Sequence, residues 1–463
     1  MKTITRLIAA CLLATVGIDG RAAAPAGTKV DAVRESIIED PVFNGQAYVY
    51  QAGNSHAPSV LLIHGIGAKA ARDWDGLVPK LARDHHVVTF DLPGFGRSSG
   101  GNKAYTPENY VAFVKFIAGK YTAGPFVLIG HSMGGAVALR YAATYPDDVQ
   151  GLVIADVPGI LHRQAYSQYL SHLGIGAVPS FYPNQKEQLH NLVGNILGMV
   201  AKMQPDLDLV IASPTLRDKV LDGNPAKIAG LAVVMEDFSG IIQRVRAPVL
   251  VIWGAKDLLT PLRTGKVLAA NLADAELKIL ANSAHTPMED APTEFDALVL
   301  DYVRRPAVPS NPQKIRPLDD IGVFASTREG SCKKQRGRVF EGNYDSIVIV
   351  DCRDILLRNV RVREVRITDA SVAIEDSRIG GLQGGLRADD ANVTITSSVI
   401  QAPVAIKAID SRLDLAGVRL IGSEAAVQAP YASKVLFSVS YVTSPHTTGS
   451  VHGWREVGPK NPL

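Results

Sequence analysis

Short apolar segments alternate with helical patterns through the first 300 residues of the chain. The apolar runs are bounded by glycine, proline and polar turn residues, and most show no polar face. Strands buried on both faces and separated by helices are typical of a parallel sheet covered by helices. We therefore predict an α/β domain with strands at residues 47–50, 59–63, 86–90, 126–129, 151–156, 248–253 and 277–280.

Residues 157–240 interrupt this alternation. Their aromatic and methionine residues are scattered through helical stretches that are interrupted by Pro179, Pro183, Pro205, Pro214 and Pro225. Since proline ends or kinks a helix, we interpret the region as a helical cap inserted into the α/β domain. A proline-rich stretch at 305–319 then indicates a linker. The predicted domains are therefore 27–304 and 320–463.

The pattern beyond the linker is repetitive. In each of five segments, an apolar residue is followed by apolar residues two and seven positions later. The segments begin 17, 21, 20 and 22 residues apart. Four of them carry small or apolar residues seven and five positions earlier (348/350, 365/367, 386/388 and 406/408), and the fifth lacks this match. Strands that recur once per 20 residues or so predict a parallel β-helix, with an antiparallel β-sandwich as the alternative. The segments are Ile355/Leu357/Val362, Val372/Ile374/Ile379, Val393/Ile395/Ile400, Leu413/Leu415/Leu420 and Val435/Phe437/Val442.

Composition limits the class of protein. The 463 residues are 46% apolar and 20% charged, with a net charge of +3, which is ordinary for a globular protein of two or three domains. No lysine and arginine block with interleaved aromatic residues is present, so nucleic acid is not an expected partner.

The first 26 residues have the three zones of a secretory signal peptide. A basic start is followed by an apolar zone at 7–18 and by small residues at 20–27. The apolar zone is too short for a comfortable membrane span. We therefore expect a secreted or periplasmic protein with no transmembrane segment in the mature chain. Cys11 also suggests a lipoprotein processing site, but only four apolar residues precede it, which favours simple secretion.

Two cysteines, Cys332 and Cys352, remain in the mature chain. An even pair in an exported protein is more often a disulfide than a metal site, because two thiolates with no nearby histidine do not complete a zinc site. We predict a Cys332–Cys352 disulfide and no metal.

Residues 127–135 carry the main chemical motif, Val-Leu-Ile-Gly-His-Ser-Met-Gly-Gly. An apolar strand, a sharp turn and a helix follow one another, and glycine is needed on either side of Ser132 where strand and helix come close. Ser132 is thereby exposed at a helix N-terminus, where the Met133 amide can face an oxyanion. The pattern predicts a nucleophilic serine.

A serine nucleophile needs a base and an acid, and in this setting they follow it along the chain in the order acid, histidine. His285 is the predicted base and Asp257 the predicted acid, because each follows a predicted strand. Asp156 is the alternative acid, since it too ends a strand. The second oxyanion donor is predicted at the Ile66 amide, and the preceding His64 is assigned a role in fixing the loop.

Two further groups of residues are weaker candidates. Trp74, Met235 and Phe238 are candidates for an acyl or alcohol pocket, although such residues in a cap more often pack. A saccharide-cleaving site in the repeats is a further possibility, but charged residues at solenoid turns are more often solvated. Its candidates are Asp376, Arg378, Asp389 and Asp390.

The motifs together resemble the α/β-hydrolase superfamily over residues 42–302. They are His64-Gly-Ile-Gly, Asp91-x-x-Gly-x-Gly-x-Ser, Gly130-His-Ser-Met-Gly-Gly, Gly254-x-x-Asp and Ala284-His-x-x-x-Glu-x-x-Pro. Ala284 departs mildly from the glycine that relatives often carry. The resemblance implies a mostly parallel sheet of about eight strands, a cap after the sixth strand and a Ser132-Asp257-His285 triad. The repeats resemble a right-handed parallel β-helix.

The expected function is that of an exported serine hydrolase without a cofactor, acting on a small or polymer-linked carboxylic ester. A carbon-carbon bond hydrolase and a cofactor-free haloperoxidase are alternatives that the resemblance implies. Because solenoid faces are extended, a further alternative is a protein whose β-helix binds polysaccharide or the cell envelope, with the hydrolase domain secondary.

Overall fold

The computed structural model describes residues 33–166, 207–305, 326–381, 384–431 and 433–463. The predicted signal peptide, the cap between 167 and 206 and the linker beyond residue 305 lie outside the described residues. The domain limits drawn there stay predictions. None of the helices within the described ranges has the length and apolar character needed to cross a membrane.

An eight-stranded sheet organises the first domain, in the order β1-β2-β4-β3-β5-β6-β7-β8. β1 pairs antiparallel with β2 and β2 with β4, whereas all other neighbours are parallel. The predicted α/β-hydrolase sheet is therefore confirmed. The strands are β1 (Arg34–Asp40), β2 (Gly45–Ala52), β3 (Ser59–Ile63), β4 (His86–Phe90), β5 (Phe126–His131), β6 (Val149–Ala155), β7 (Val249–Gly254) and β8 (Ala275–Leu280).

Helices cover both faces of this sheet. Alternate residues of β3 fall into two separate apolar cores, Leu61 and Ile63 in one and Val60 and Leu62 in the other. This is the burial expected of a central parallel strand. The helices are α1 (Val78–Leu81), α2 (Pro107–Tyr121), α3 (Met133–Thr144), α4 (Leu207–Ala212), α5 (Pro214–Leu221), α6 (Pro225–Met235), α7 (Leu262–Asn271), α8 (Pro287–Asp290) and α9 (Pro292–Arg304), with 3₁₀ turns at Ala70–Trp74 and Ile242–Arg244.

Two of the prolines in the cap begin helices. Pro214 and Pro225 are the first residues of α5 and α6, and each follows a capping residue whose side chain accepts an amide hydrogen bond. Proline is favoured at the first position of a helix, because an N–H group there would have no acceptor within the helix and its absence costs no hydrogen bond. The described part of the cap is helical, as the sequence predicts.

The second domain is a parallel β-helix, as predicted. Its strands pair in parallel from one coil to the next, except that β20 closes the end antiparallel to β19, so the β-sandwich alternative is wrong. The strands are β9 (Glu329–Lys333), β10 (Val339–Val350), β11 (Ile355–Thr368), β12 (Ser371–Glu375), β13 (Arg378–Gly380), β14 (Gly385–Asp389), β15 (Asn392–Thr396), β16 (Val399–Ile409), β17 (Arg412–Ala416), β18 (Arg419–Gln428), β19 (Ser433–Thr443) and β20 (Thr448–Val457).

We call the three apolar residues of each predicted segment a triplet. The triplets stack in register through all five coils. The first positions, for example, pair as Ile355 with Val372, Val372 with Val393, Val393 with Leu413, and Leu413 with Val435. These side chains are buried and form one continuous core. Stacking of like apolar residues is what gives a solenoid its repeat.

The prediction of inward positions upstream of the triplets is partly wrong. Ile347 and Ile349, not Val348 and Val350, stack on Val365 and Ile367. In the fifth coil, where the sequence indicated no match, Val427 pairs with Ile406 and Ala429 is buried two residues later. In both coils the corner before the triplet holds one residue more than the other corners, which shifts the inward positions by one.

A disulfide joins Cys332 in β9 to Cys352 in the corner after β10. Both residues are buried in the β-helix core. The bond therefore ties the first described coil to the second.

The two domains share an apolar core. Ala416, Leu436 and Val439 of the β-helix belong to the same buried cluster as the hydrolase residues between the sheet and the cap. Gln243 donates to Ser450 across the junction, at 2.9 Å. The β-helix is thus packed against the hydrolase domain.

Candidate active site

Ser132 lies in the sharp turn between β5 and α3. Its backbone has φ 52° and ψ −124°, a conformation that is strained for a residue with a side chain. Added Cβ atoms would lie 2.4 Å from the Gly134 carbonyl oxygen at Gly130, and 2.3 Å from the Ile63 carbonyl oxygen at Gly134. Glycine is therefore required on both sides, and the turn presents the Ser132 hydroxyl above the sheet.

His285 lies within hydrogen-bond reach of this hydroxyl. It is in the loop after β8, and its Nε2 is 3.0 Å from Ser132 Oγ. Its Nδ1 is 2.8 Å from Asp257 Oδ2. Because an imidazole with a carboxylate on Nδ1 carries its proton there, Nε2 is free to accept the serine proton. The structure thus brings together the three residues that the sequence predicts as a triad.

Asp257 is held by the loop that follows β7. Its Oδ1 accepts the amides of Leu259 and Thr260 at 2.7 and 2.9 Å, and the Thr260 hydroxyl donates to Oδ2. Burial opposes ionisation of this carboxyl, but the adjacent His285 and the bonds from Thr260 outweigh it and hold the pKa of Asp257 below its usual value. Asp257 is therefore ionised beside the imidazole. Thr260 carries no motif that would single it out in the sequence.

The two predicted oxyanion donors lie around the serine. Met133 is the first residue of α3, and a Cβ at Gly65 would lie 2.9 Å from the Ser132 Cβ, so the 64–66 loop passes directly by the nucleophile. Within the described parts of the chain, neither the Ile66 nor the Met133 amide donates a hydrogen bond to another residue. Both amides are available to an oxygen bound at Ser132.

His64 is fully buried below this loop. Its Nδ1 donates to the Gly65 carbonyl at 2.6 Å, and its Nε2 accepts the Leu92 amide at 2.9 Å. Burial lowers the pKa of His64 to about 4, so the ring is neutral. These contacts fit the loop-fixing role expected from the sequence.

His131, which sequence reasoning left without a role, supports the base. Its Nε2 donates to the His285 carbonyl oxygen at 2.6 Å, and the two rings lie 5.1 Å apart. Burial, and then the proximity of His285, lower the pKa of His131 to about 3. A neutral His131 therefore fixes the backbone of His285. Its only sequence signal is its place directly before the serine.

Asp156, the alternative acid, is also in the site. It follows β6 with φ 48°, is fully buried, and its Oδ1 accepts the Gly254 amide at 3.0 Å. Burial, and next the charge of Asp257, raise the pKa of Asp156 well above its usual value. A neutral Asp156 cannot serve as the charged partner of His285, and that role falls to Asp257.

One group of acidic and histidine side chains among the described residues is close enough to share a metal ion. It consists of Asp156, Asp257 and His285, whose atoms lie within 4.8 Å of one another. The hydrogen bond between Asp257 and His285 already joins two of its members.

The three candidate pocket residues are not gathered in one place. Phe238 is fully buried in the core beneath the cap, and half-buried Met235 packs against that core. Trp74 is fully buried in the other core, with Val60 and Leu62. Trp74 therefore packs apart from the two cap residues.

The charged residues proposed for a saccharide-cleaving site are separated. Asp376 lies in the corner between β12 and β13 and pairs with Lys266 of the hydrolase domain at 3.4 Å, whereas Asp389 ends β14 and pairs with Arg387 at 3.1 Å. They sit at different corners of the coils, so the structure assembles no site from them.

The comparisons with known proteins agree with the fold of the first domain. The model of the alpha/beta hydrolase fold family matches residues 58–292, which is half of the chain. An uncharacterised protein of Mycobacterium tuberculosis is 27% identical over 54% of this chain and 74% of its own length. A pimeloyl-[acyl-carrier protein] methyl ester esterase of Neisseria meningitidis is 30% identical over 53% and 92%, and a human monoacylglycerol lipase is 25% identical over 55% and 78%. The chain belongs to the α/β hydrolase fold family.

Proposed function

We propose that this protein is an exported serine hydrolase that cleaves carboxylic esters. One observation carries the proposal, namely the hydrogen-bonded series from Ser132 through His285 to Asp257. A serine hydroxyl is a weak nucleophile until a base accepts its proton, and this series supplies the base and the carboxylate that orients it.

The geometry supports a two-step mechanism. His285 Nε2 takes the Ser132 proton while Oγ attacks the ester carbonyl, and the amides of Ile66 and Met133 hold the oxyanion. The protonated imidazole then gives its proton to the departing alcohol. Water, activated by the same imidazole, releases the acid from the acyl-enzyme. The relatives named as a methyl ester esterase and a monoacylglycerol lipase support an ester substrate.

A fluorophosphonate probe tests the nucleophile. We expect labelling of the full chain to map to Ser132 and to disappear in Ser132→Ala. Ser55, in an exposed turn, provides the matched control, and Ser55→Ala should be labelled like the wild type. Folded wild-type protein that takes no label would contradict the proposal.

A substrate panel tests the ester specificity. p-Nitrophenyl esters of increasing chain length and acetylated sugars should be hydrolysed by the wild type and not by Ser132→Ala. Labelling of Ser132 without turnover of any ester would instead favour the carbon-carbon bond hydrolase or the cofactor-free haloperoxidase.

Export is part of the proposal and rests on the three zones of the first 26 residues. We expect the chain to leave the cytoplasm and to lose these residues, with cleavage between Ala22 and Ala26. N-terminal sequencing of the mature protein checks this, and a retained Met1 would contradict it. A lipid on Cys11 would be detected by mass spectrometry.

Saccharide binding by the β-helix is a second candidate function, favoured by a cleft of about 990 Å³ beside the domain junction. Asn392, Arg412 and Lys434 lie along its wall on successive strands, and Trp454, which also packs against the core shared by the two domains, is among its lining residues. Such a mixture of hydrogen-bond donors and acceptors suits a polar polymer. Glycan-array binding by the full chain should be lost in Arg412→Ala/Lys434→Ala and kept in Lys407→Ala, whose side chain is exposed on β16.

A further inference from the structure

The β-helix binds α7, the helix that follows the loop of Asp257, through an arginine side chain. Arg263 is the second residue of α7, and its Nη1 and Nη2 bond the two carboxylate oxygens of Asp414 at 2.7 and 3.1 Å. Its Nε donates to the Thr396 hydroxyl at 2.8 Å. The side chains of Arg263 and Asp414 are only 19% and 15% exposed. A bidentate pair with this little solvent is rigid, because the fork fixes both direction and distance.

Arg263 is only six residues beyond Asp257. Between them, Thr260 donates its amide and hydroxyl to the Asp257 carboxylate, and Pro261 caps α7. The Thr260 carbonyl accepts the Trp253 indole N–H at 2.9 Å, and the Leu259 carbonyl accepts the Tyr166 hydroxyl at 2.8 Å. The segment from 257 to 261, the acid loop, is therefore tied to β7 and to the first part of the cap, and its far end is tied to the β-helix.

We propose that Arg263 and Asp414 are positioning residues through which the β-helix keeps Asp257 aligned with His285. The inference rests on the proposed function, since it names the purpose of the second domain in that reaction. A carboxylate held in one geometry stabilises the imidazolium that forms when Ser132 attacks. Small displacements of a positioning group reduce the rate strongly. The β-helix is in this sense part of the catalytic unit.

Lys266 provides a matched control in the same interface. It lies three residues beyond Arg263 on α7 and pairs with Glu375 at 2.8 Å, again across the domain junction. It is further along α7 from the acid loop, and the partners of its ammonium among the described residues are Glu375 and Asp376. Loss of Lys266 weakens docking, whereas loss of Arg263 weakens docking and also removes the tie between the β-helix and the end of the acid loop, which leaves the loop held only by its bonds within the hydrolase domain.

The first test compares Arg263→Met with Lys266→Met in the full chain. We expect kcat on a small ester to fall about tenfold or more in Arg263→Met at similar KM, and to stay within about twofold of wild type in Lys266→Met. Asp414→Asn should follow Arg263→Met. Equal losses in Arg263→Met and Lys266→Met, or no loss in Arg263→Met, would overturn the proposal.

Removal of one partner leaves a buried unpaired charge, which can itself impair folding. The double variant Arg263→Met/Asp414→Leu avoids this, because neither charge remains. It should fold and still show the lower kcat. Arg263→Lys keeps the charge without the fork and should fall between wild type and Arg263→Met.

The NMR resonance of the His285 Nδ1 proton tests the same point without turnover, because this proton lies in the 2.8 Å hydrogen bond to Asp257 Oδ2. We expect the resonance to shift or broaden in Arg263→Met and to keep its wild-type position in Lys266→Met. A wild type that cleaves no ester would defeat the proposed function, whereas an unchanged resonance in Arg263→Met would defeat the positioning role.

Discussion

Asp156 and Asp257 each place a carboxyl oxygen within 4.8 Å of the other and of a ring nitrogen of His285. Burial, and next the charge of Asp257, raise the pKa of Asp156, whereas the pKa of Asp257, despite its burial, is held below its usual value by His285 and Thr260. Two carboxylates this close repel each other, which favours the protonated form of one of them. The opposite directions of the two pKa shifts favour protonation at Asp156 and ionisation at Asp257.

Asp156→Asn should stabilise the protein increasingly as the pH rises. The folded pKa of Asp156 lies above the unfolded value, so its contribution to stability is full below about pH 4 and is lost as the pH rises towards the folded pKa. Asparagine keeps the oxygen that accepts the Gly254 amide and does not ionise. The difference in Tm between variant and wild type, measured by calorimetry from acid to alkaline pH, should grow. A difference that stays constant with pH would count against a neutral Asp156.

Measurements of kcat also distinguish the roles of Asp156 and Asp257. Asp257→Asn should lower kcat by about 10⁴-fold, because the amide holds the imidazole in the wrong tautomer. Asp156→Asn should stay within about tenfold of wild type. Steady-state kinetics on one ester would decide between them, and the reverse order of effects would transfer the role of acid to Asp156.

Gly134→Ala should disrupt the serine turn. The added methyl group would meet the backbone oxygens of Ile63 and His64 at 2.3 and 2.4 Å, and Ile63 is held in place by its pairing with Gly130 in the sheet. We expect a loss of at least about 2 kcal/mol in the free energy of unfolding, together with loss of labelling at Ser132. Gly119→Ala is the control, because nothing lies within 4 Å of its added Cβ in α2. That substitution should be neutral or stabilise by up to about 1 kcal/mol. Urea denaturation measures both.

Reduction of the disulfide should loosen the first coil of the β-helix. Cys332 and Cys352 are 20 residues apart, and closing a loop of that length contributes about 3 kcal/mol in the chain-entropy model. Cys332→Ala/Cys352→Ala should lower the Tm, and added reductant should lower the Tm of the wild type but not of the double variant. A wild-type Tm that ignores reductant would show that the bond contributes little.

Local signals in the sequence predict most of the sheet and the candidate triad. Ser132, Asp257 and His285 each follow a buried apolar run, and the carboxyl ends of parallel strands meet at one edge of a sheet. The loose alternation over residues 31–50 did not single out β1 as a strand. β1 is an edge strand whose buried face holds the apolar Ile38 beside the charged Asp40, whereas Ile37 is exposed. A strand in which burial does not follow side-chain polarity leaves little signal in the hydrophobic pattern.

The repeats show a similar limit. The triplets were predicted in the correct register because their spacing is constant, but the upstream positions depend on the length of the corner that precedes them. One additional residue in the corner moved the inward positions to Ile347 and Ile349. Docking of the β-helix on the hydrolase domain could not be predicted from the sequence, for another reason. Arg263 and Asp414 are single charged residues 151 positions apart, and no local pattern relates them.

The apolar core shared by the two domains bears on how the protein can be divided. Ala416, Leu436 and Val439 complete a cluster that begins in the hydrolase domain, so a fragment that ends near residue 305 would present the uncovered side of that cluster to water. Exposed apolar patches of this kind favour association. The proline-rich stretch therefore separates the two domains along the chain but is not a suitable site for truncation. The behaviour of an isolated hydrolase fragment would depend on its exposed apolar surface as well as on its active site.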